Sequence, residues 1–559
     1  MKVKIRLKDP GNQALARPAA ILARQLAERS GAEIISAGPE TGSELAVALA
    51  IDPAAGREGY RIADGAPGEI IVAGGDRRGL IYGVGRLLHE AVYSPGEFRP
   101  GPWRGASVPD KPVRGLYFAT HFHNYYHDAP PAEIEKYLEE LVLWGYNALV
   151  AWYDMNHYRG LDDPDSRAMI ERLRHLFSFA RELGLDIGLV TVANESYRSS
   201  PRELGRVPEY AFMPGLLCPN KPGGRELILK NMAGEFEAFA GLKLDFIWTW
   251  PYDPGSCFCE KCRPWGGNGF IEMSREIAGL ARRYHPSARL VLSTWTFKPE
   301  DWEGLARAFR ERPDWVDYIM ADAHREFPEF PLKHGVPGGL PLLNFPEISM
   351  IGMKPWGGFG ATPTPERLQG FWPAAADRIA GGFPYSEGLH DDINKVIISR
   401  FYWNRKTSAL EALREYAHFE YGPGAVERVL EAVGIIEANH GRYWDVVPQA
   451  PGFIRKREAP EVRDSGRAAR LLEEVDRELP EARRRGWRWR LLLLRGRIER
   501  ELRSNGGVPN DACDEAFEEL IAILHAERAE WRVAPLSRRL VARLDREKKQ
   551  AEDFDGLGK

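Results

Sequence analysis

The sequence predicts an α/β protein built on a (β/α)8 TIM barrel, with a small α/β domain before the barrel and a helical domain after it. Three observations lead there. Between Val113 and about Trp403, eight short apolar segments alternate with amphipathic helical patterns. Those segments end in polar and aromatic residues, as barrel strands do where functional loops begin. From about residue 404 onward the strand signal stops and only helical spacing remains.

Residues 1–108 read as the small α/β domain. Lys2–Leu7 alternates like a strand, Arg17–Ser30 has helical spacing with Pro18 in its first turn, and Gly31 stops it. Glu44–Ile51 and Glu69–Ala73 are further strands, Gly74-Gly75-Asp76 is a turn, and Arg78–Tyr93 is an amphipathic helix. The Pro-rich stretch Phe98–Val113 reads as a linker. Residues 109–403 form the barrel, with strands Arg114–Phe122, Ala148–Asp154, Ile187–Ala193, Asp245–Trp250, Leu290–Trp295, Tyr318–Ala321, Leu342–Phe345 and Gly381–Tyr385. A doubly wound open sheet is the alternative, but no Gly-rich dinucleotide turn follows the early strands. Residues 404–559 are helical, with Ser408–Tyr421, Gly424–His440, Gly466–Glu478, Trp487–Arg503 and Asp511–Glu530 as helices. The Arg-rich run Arg483–Arg490 reads as a solvated helix face.

Bulk composition excludes some functions. The net charge of −4 over 559 residues gives no electrostatic case for nucleic acid or an anionic membrane. Met1–Asp9 lacks the apolar core of a signal peptide, and no apolar run is long enough to span a bilayer. Five cysteines in a chain this long are not a disulfide scaffold. Together these predict a cytoplasmic location. The 16 Trp and 20 Tyr suit sugar rings and large cores equally.

The strand ends carry the chemistry. Strand 1 is followed by His121, His123 and Asn124; strand 2 ends at Asp154 and strand 3 at Asn194-Glu195. Strand 4 ends Trp250-Pro251-Tyr252-Asp253, strand 5 at Trp295, strand 6 at Asp322 and strand 7 at Glu347. Strand 8 ends Tyr385-Ser386-Glu387, followed by Asp391-Asp392. Carboxylates bind hydroxyls and aromatic faces stack on apolar ring faces, so this pattern describes a crater for a neutral polyhydroxylated ligand. Glycosidic cleavage needs one carboxyl group as acid and another as base or nucleophile. Asp253 is the first candidate for the acid, and Glu347 and Glu387 compete for the opposite role. For each of the three the alternative is hydroxyl binding or a helix cap. His121, Asp154, Glu195, Asp322, Tyr385 and Asp392 read as substrate-binding or supporting groups. His121 and His123 share a face only if the strand runs through both. Trp250, Trp295 and Trp356 are the stacking platforms; Trp356 lies in the Gly-rich segment Lys354–Gly360, a candidate lid.

Arg114-Gly-Leu-Tyr-Phe-Ala-Thr-His-Phe122 resembles the first barrel strand of glycoside hydrolase family 20 hexosaminidases, in which an Arg-Gly pair opens the strand and the Arg binds sugar hydroxyls. Glu58–Ile62 and Ile70–Leu88 are similar to the non-catalytic α/β domain of that family, which also precedes the barrel of family 67 α-glucuronidases. By this resemblance Arg114 faces sugar. Family 20 carries adjacent Asp-Glu after strand 4, whereas here Pro254 follows Asp253, which speaks against substrate-assisted cleavage of N-acetyl sugars. An acid on strand 4 with Asp322 and Glu347 on strands 6 and 7 is closer to the inverting α-glucuronidases. Tyr385-Ser386-Glu387-Gly388 resembles a signature of superfamily proteins to which no substrate is attached.

Cys257, Cys259 and Cys262 form a C-x-C-x2-C knot just beyond Asp253, and Cys218 in the preceding βα loop supplies a fourth thiol. Four thiolates suit a structural Zn2+ site with no open position, which would pin the two loops and fix Asp253. A disulfide, an iron–sulfur centre and unmetallated thiols are the alternatives. Cys513 reads as a lone thiol. The sequence as a whole predicts an exo-acting glycoside hydrolase that removes a terminal sugar from short oligosaccharides. The competing classes are a zinc-dependent hydrolase with its catalytic metal in the cysteine loop, and a sugar-binding barrel without catalysis. No nucleic-acid or membrane partner is expected, and the helical C-terminal region offers a surface for a homodimer.

Overall fold

The computed structural model describes residues 2–35, 45–207, 216–252, 255–323, 327–349, 363–439, 444–446, 454–456, 464–506 and 508–529, with 537–539, 542, 543 and 546 beyond them. Asp253 and Trp356 lie outside these residues.

The N-terminal region is a six-stranded sheet. Lys2–Leu7 pairs in parallel with Glu33–Ile35 and Leu45–Ile51, and Glu69–Gly74 continues the parallel set. Tyr60–Asp64 and Gly105–Ser107 close it in antiparallel pairing. Helix Ala16–Ser30 packs on it and stops at Gly31, whose φ of 65° is the left-handed conformation that glycine adopts without penalty. The helix predicted over Arg78–Tyr93 covers Arg77–His89 instead. Val92–Ser94 turns at Gly96 into a hairpin with Glu97–Arg99. The Pro-rich stretch is not wholly a linker either, because Gly105–Ser107 belongs to the sheet.

Eight parallel strand positions then close into a barrel. They are Val113–Phe118, Ala148–Trp152, Asp186–Val192, Phe246–Trp250, Arg289–Ser293, Tyr318–Ala323, Leu342–Pro346 and Ile379–Gly382, the last extended by Tyr385–Ser386. Closure is direct: Gly115 pairs with Ala148 on one side, and Val113 with Gly381 on the other. Strand 8 breaks at Phe383-Pro384 because proline has no N–H for the ladder; its second piece pairs Tyr385 with Tyr117. These strands are buried on both faces, as parallel strands in a barrel are, and are mostly apolar. Tyr117, Trp248, Trp250, Phe345 and Phe383 fill the interior, with ring centroids between 4.7 and 5.9 Å apart. Helix Asp392–Trp403 follows strand 8, and helices Ala409–Tyr421, Val426–Asn439, Ser465–Glu478, Trp487–Ser504 and Asp511–Ile523 complete the C-terminal region. Among the described residues no helix is long and apolar enough to cross a membrane.

Candidate active site

Strand 1 ends at Phe118, four residues before the predicted end. Asn124 closes the turn that follows: its amide donates to the Ala119 carbonyl (2.6 Å) and accepts from the His127 N–H (3.2 Å). Phe122 and His123 have φ of 55° and 54°, a left-handed kink that costs non-glycine residues of order 1 kcal/mol each. The kink separates the two histidines. The His121 ring turns to the end of strand 8, while the His123 ring lies tilted against His127, with centroids 4.5 Å apart.

At the end of strand 8, the Tyr385 hydroxyl donates to Glu387 Oε1 (2.6 Å), and His121 Nε2 lies 3.2 Å from both groups. Glu387 is fully buried, and its Oε2 has no hydrogen-bond partner among the described residues. Glu347 stands just past the end of the neighbouring strand, its backbone paired with that of Tyr385 in an isolated parallel bridge. Ser349 links the two carboxylates: its N–H donates to Glu347 Oε1 (2.5 Å) and its hydroxyl accepts the Glu387 N–H (3.2 Å). Asp391, paired with the buried Lys395, holds the hydroxyls of Ser349 and Ser386 behind them.

Across the mouth, Glu195 accepts from the Met155 N–H (2.7 Å), the Trp152 indole and the Val192 N–H (both 3.3 Å). Asp154 caps the turn at Asn156. Burial pushes the Asp154 carboxyl up to about 6 against the opposing charge of His121. Burial also lifts Glu195 well above the carboxylate range, with the charges of Asp154 and of Glu235 adding to it. Glu235, on helix Gly224–Phe239, is buried without a hydrogen-bond partner among the described residues. Its helical spacing gave no sign of this role.

Trp250 and Trp295 meet edge to face at 5.6 Å over Phe345. His121, Trp152, Trp250, Trp295, Asp154 and Tyr385 lie at the strands' C-terminal ends and are each only 5–7% exposed. Asp322 is half-buried at the rim and accepts from the Thr296 N–H (3.2 Å). The structure thus brings together His121, Asp154, Glu195, Trp250, Trp295, Tyr385, Glu347 and Glu387.

Two predicted substrate contacts lie elsewhere. Arg114 is at the N-terminal end of strand 1 and has no exposed surface. Its guanidinium donates to the carbonyls of Gly145 (2.7 Å) and Lys111 (2.8 Å) and to Glu58 Oε2 (2.5 Å), joining the barrel to the N-terminal region. Asp392 opens a helix behind the site and is saturated by Tyr137 (2.9 Å), Tyr416 (2.8 Å) and Arg488 (2.8 Å). Arg488 also pairs with Glu140, so this part of the Arg-rich run is a buried clamp, not a solvated face. A buried carboxylate needs such donors, and here they come from elements remote in sequence.

The sulfurs of Cys218, Cys257, Cys259 and Cys262 all lie within 4.8 Å of one another. Cys218 Sγ and Cys259 Sγ are 3.7 Å apart, far beyond a disulfide bond and close to the ~3.8 Å edge of a zinc–thiolate tetrahedron with ~2.3 Å bonds. The Cys262 thiol holds Cys257 down to about 5, and Asn220 donates to Cys262 Sγ (3.1 Å). Asn194 ties the two cysteine loops together: its amide nitrogen donates to the carbonyls of Leu217 (2.8 Å) and Ser256 (2.9 Å), and its oxygen accepts the Ser256 N–H (3.0 Å). Its place beside Glu195 marked it as a strand end but not as a loop tie.

The raised Asp154 carboxyl carries a sign that can be checked. The folded state favours its protonated form, so its penalty is absent below about pH 4 and grows as pH rises to about 6. Asp154→Asn is therefore expected to stabilise the fold by up to about 3 kcal/mol at neutral pH, with the gain vanishing near pH 4. Thermal melts of both proteins across that range check it; an equal difference at all pH values refutes it.

No protein-family profile matches the sequence, and no curated protein matches it. Solved structures do match its fold. A family 115 4-O-methyl-α-glucuronidase with specificity for decorated arabinogalactans aligns with 95% of this chain and 77% of its own, at 13% identity and a TM-score of 0.61. The family 89 glycoside hydrolase of Clostridium perfringens, solved with PUGNAc, aligns at 14% identity and 0.60, covering 91% of this chain and 65% of its own. The family 20 β-N-acetylhexosaminidase of Streptomyces coelicolor aligns at 14% and 0.52, covering 78% and 91%. The fold is thus that of several glycoside hydrolase families, family 20 among them, and the four cysteines of this chain form a largely buried cluster geometrically compatible with a metal.

Proposed function

We propose that the protein is an exo-acting glycoside hydrolase that removes a terminal sugar from short oligosaccharides by carboxyl acid/base catalysis. The observation that carries this reading is Glu387: one oxygen is held by Tyr385 and His121, the other has no partner among the described residues, and Glu347 and Asp154 share the same barrel mouth. Glu387 is assigned the base or nucleophile role, with Glu347 as its alternate. Asp253 is assigned the acid by its position after strand 4. Trp250 and Trp295 supply the aromatic faces for the sugar ring. Hydrolysis of a panel of aryl α- and β-glycosides by the purified protein tests the class. No turnover of any member, with sugars still bound, would favour a sugar-binding barrel.

We assign the cysteine cluster to a structural Zn2+. Four mutually close thiols leave no open position for a reacting group, which counts against a catalytic metal there. The purified protein is expected to carry one zinc equivalent that Cys257→Ser loses, with a lower thermal midpoint in that variant. Zinc content unchanged by Cys257→Ser would remove this assignment. Reduced thiolates suit the cytoplasm, which we keep as the proposed location; cell fractionation tests it.

A further inference from the structure

A second cluster of ligating side chains stands on the same rim, two loops away from the cysteines. His123 and His127 come from the loop after strand 1, spaced H-x3-H, and His157 comes from the short turn after strand 2. One ligating nitrogen from each lies within 4.8 Å of the others. The three ring centroids are 4.5, 5.3 and 5.3 Å apart. All three side chains are half-buried, so the group is neither sealed in the core nor free in solvent.

We propose that His123, His127 and His157 form a three-histidine site for a divalent transition-metal ion of the zinc class. Imidazole nitrogens suit zinc, and nitrogens on one zinc at ~2.0–2.1 Å stand about 3.3 Å apart. Binding would draw the nitrogens, now within 4.8 Å of one another, in to that value. Asp128 Oδ1 lies 3.3 Å from His123 Nδ1, the carboxylate–imidazole arrangement that orients metal-bound histidines. His127 Nδ1 is buried and has no hydrogen-bond partner among the described residues, an unmet demand that packed aromatic rings would not create by themselves.

Hydrogen bonds tie both halves of the scaffold to the barrel. Asn124 fixes the first half by bonding Ala119 and the His127 N–H, and Arg172 donates to the Tyr126 carbonyl (3.0 Å). Glu195 fixes the second half through the Met155 N–H. Three histidines leave a fourth position, and the partial exposure of the rings opens it to water or to an oxygen donor arriving at the rim. The site would join the loops after strands 1 and 2, as the cysteines join those after strands 3 and 4. It would thereby hold His121 and Asp154, two and three residues from its ligands.

The test is total zinc capacity. Metal analysis of the purified protein is followed by calorimetric titration with Zn2+ near neutral pH. Wild type is expected to hold or take up one equivalent more than His157→Ala and His127→Ala, with both variants matching its circular dichroism. Asp128→Asn is expected to keep the equivalent but bind it about 10-fold more weakly. Cys257→Ser should lose only the cysteine-bound equivalent, so the two sites fail independently. Equal capacity in wild type and both histidine variants overturns the proposal. If a histidine variant does not fold, the Asp128→Asn affinity decides: an unchanged dissociation constant, or no titratable equivalent in wild type beyond the cysteine site, overturns it.

Discussion

Glu387→Gln is expected to lower kcat on any glycoside the protein hydrolyses by about 10²–10⁴-fold while leaving the fold and KM close to wild type. Gln is nearly isosteric with Glu, so its carbonyl can still accept the Tyr385 hydroxyl bond that measures 2.6 Å in the native site. What is lost is the charge, and with it the ability to take a proton or attack the anomeric carbon. Glu347→Gln separates the two neighbours. If Glu387 is the reacting group, Glu347→Gln loses less and its loss appears partly in KM; if the order is reversed, the roles are exchanged. Rescue of Glu387→Ala, which leaves room for an external anion, by azide would mark a lost nucleophile or base. Wild-type turnover in Glu387→Gln, Glu347→Gln and Asp253→Asn alike would sink the carboxyl mechanism.

Glu58→Ala is expected to destabilise the protein by about 3–5 kcal/mol, the usual result of stranding a buried charge. Glu58 is 5% exposed and Arg114 has no exposed surface. The Glu58 carboxylate also accepts from Arg78 (2.7 Å) and from the Asn147 amide (3.1 Å). Burial alone would raise its carboxyl; the charges of Arg114 and Arg78 outweigh that and hold it below the ordinary value. Its contribution is therefore present above the unfolded carboxylate range and is lost as pH falls through the lowered folded value. A thermal unfolding midpoint measured against pH reads both effects. Arg114→Met in the Glu58→Ala background should recover part of the loss, because no unpaired charge then remains. If Arg114→Met instead raises KM and leaves the midpoint unchanged, Arg114 binds substrate after all.

Arg114 shows where reading from sequence stops. The Arg-Gly pair at the head of strand 1 looks like a sugar-binding feature through its resemblance to the first barrel strand of family 20. Its partners in space are Glu58 of the preceding sheet and the carbonyls of Lys111 and Gly145. Asp392 repeats the lesson, since Tyr137, Tyr416 and Arg488 reach it from three separate helices. Strand 8 was legible as a segment, but its break at Pro384 and re-pairing to Tyr117 depend on how the barrel closes.

By itself, the sequence determined the barrel, the helix ending at Gly31, the apolar strands, the strand-end position of Glu347 and Glu387, and the grouping of Cys218 with its three partners. Most of these are written in local periodicity, a turn residue or a short motif, which act over a few residues; the grouping of Cys218 follows from consecutive βα loops being neighbours in a barrel. Only the tertiary structure decided which charged side chains gather at the strand ends and which are clamps, that His121 joins Tyr385 and Glu387, and that His123, His127 and His157 converge. A polar side chain's role depends on what reaches it across the fold, and those partners lie tens to hundreds of residues away in the chain.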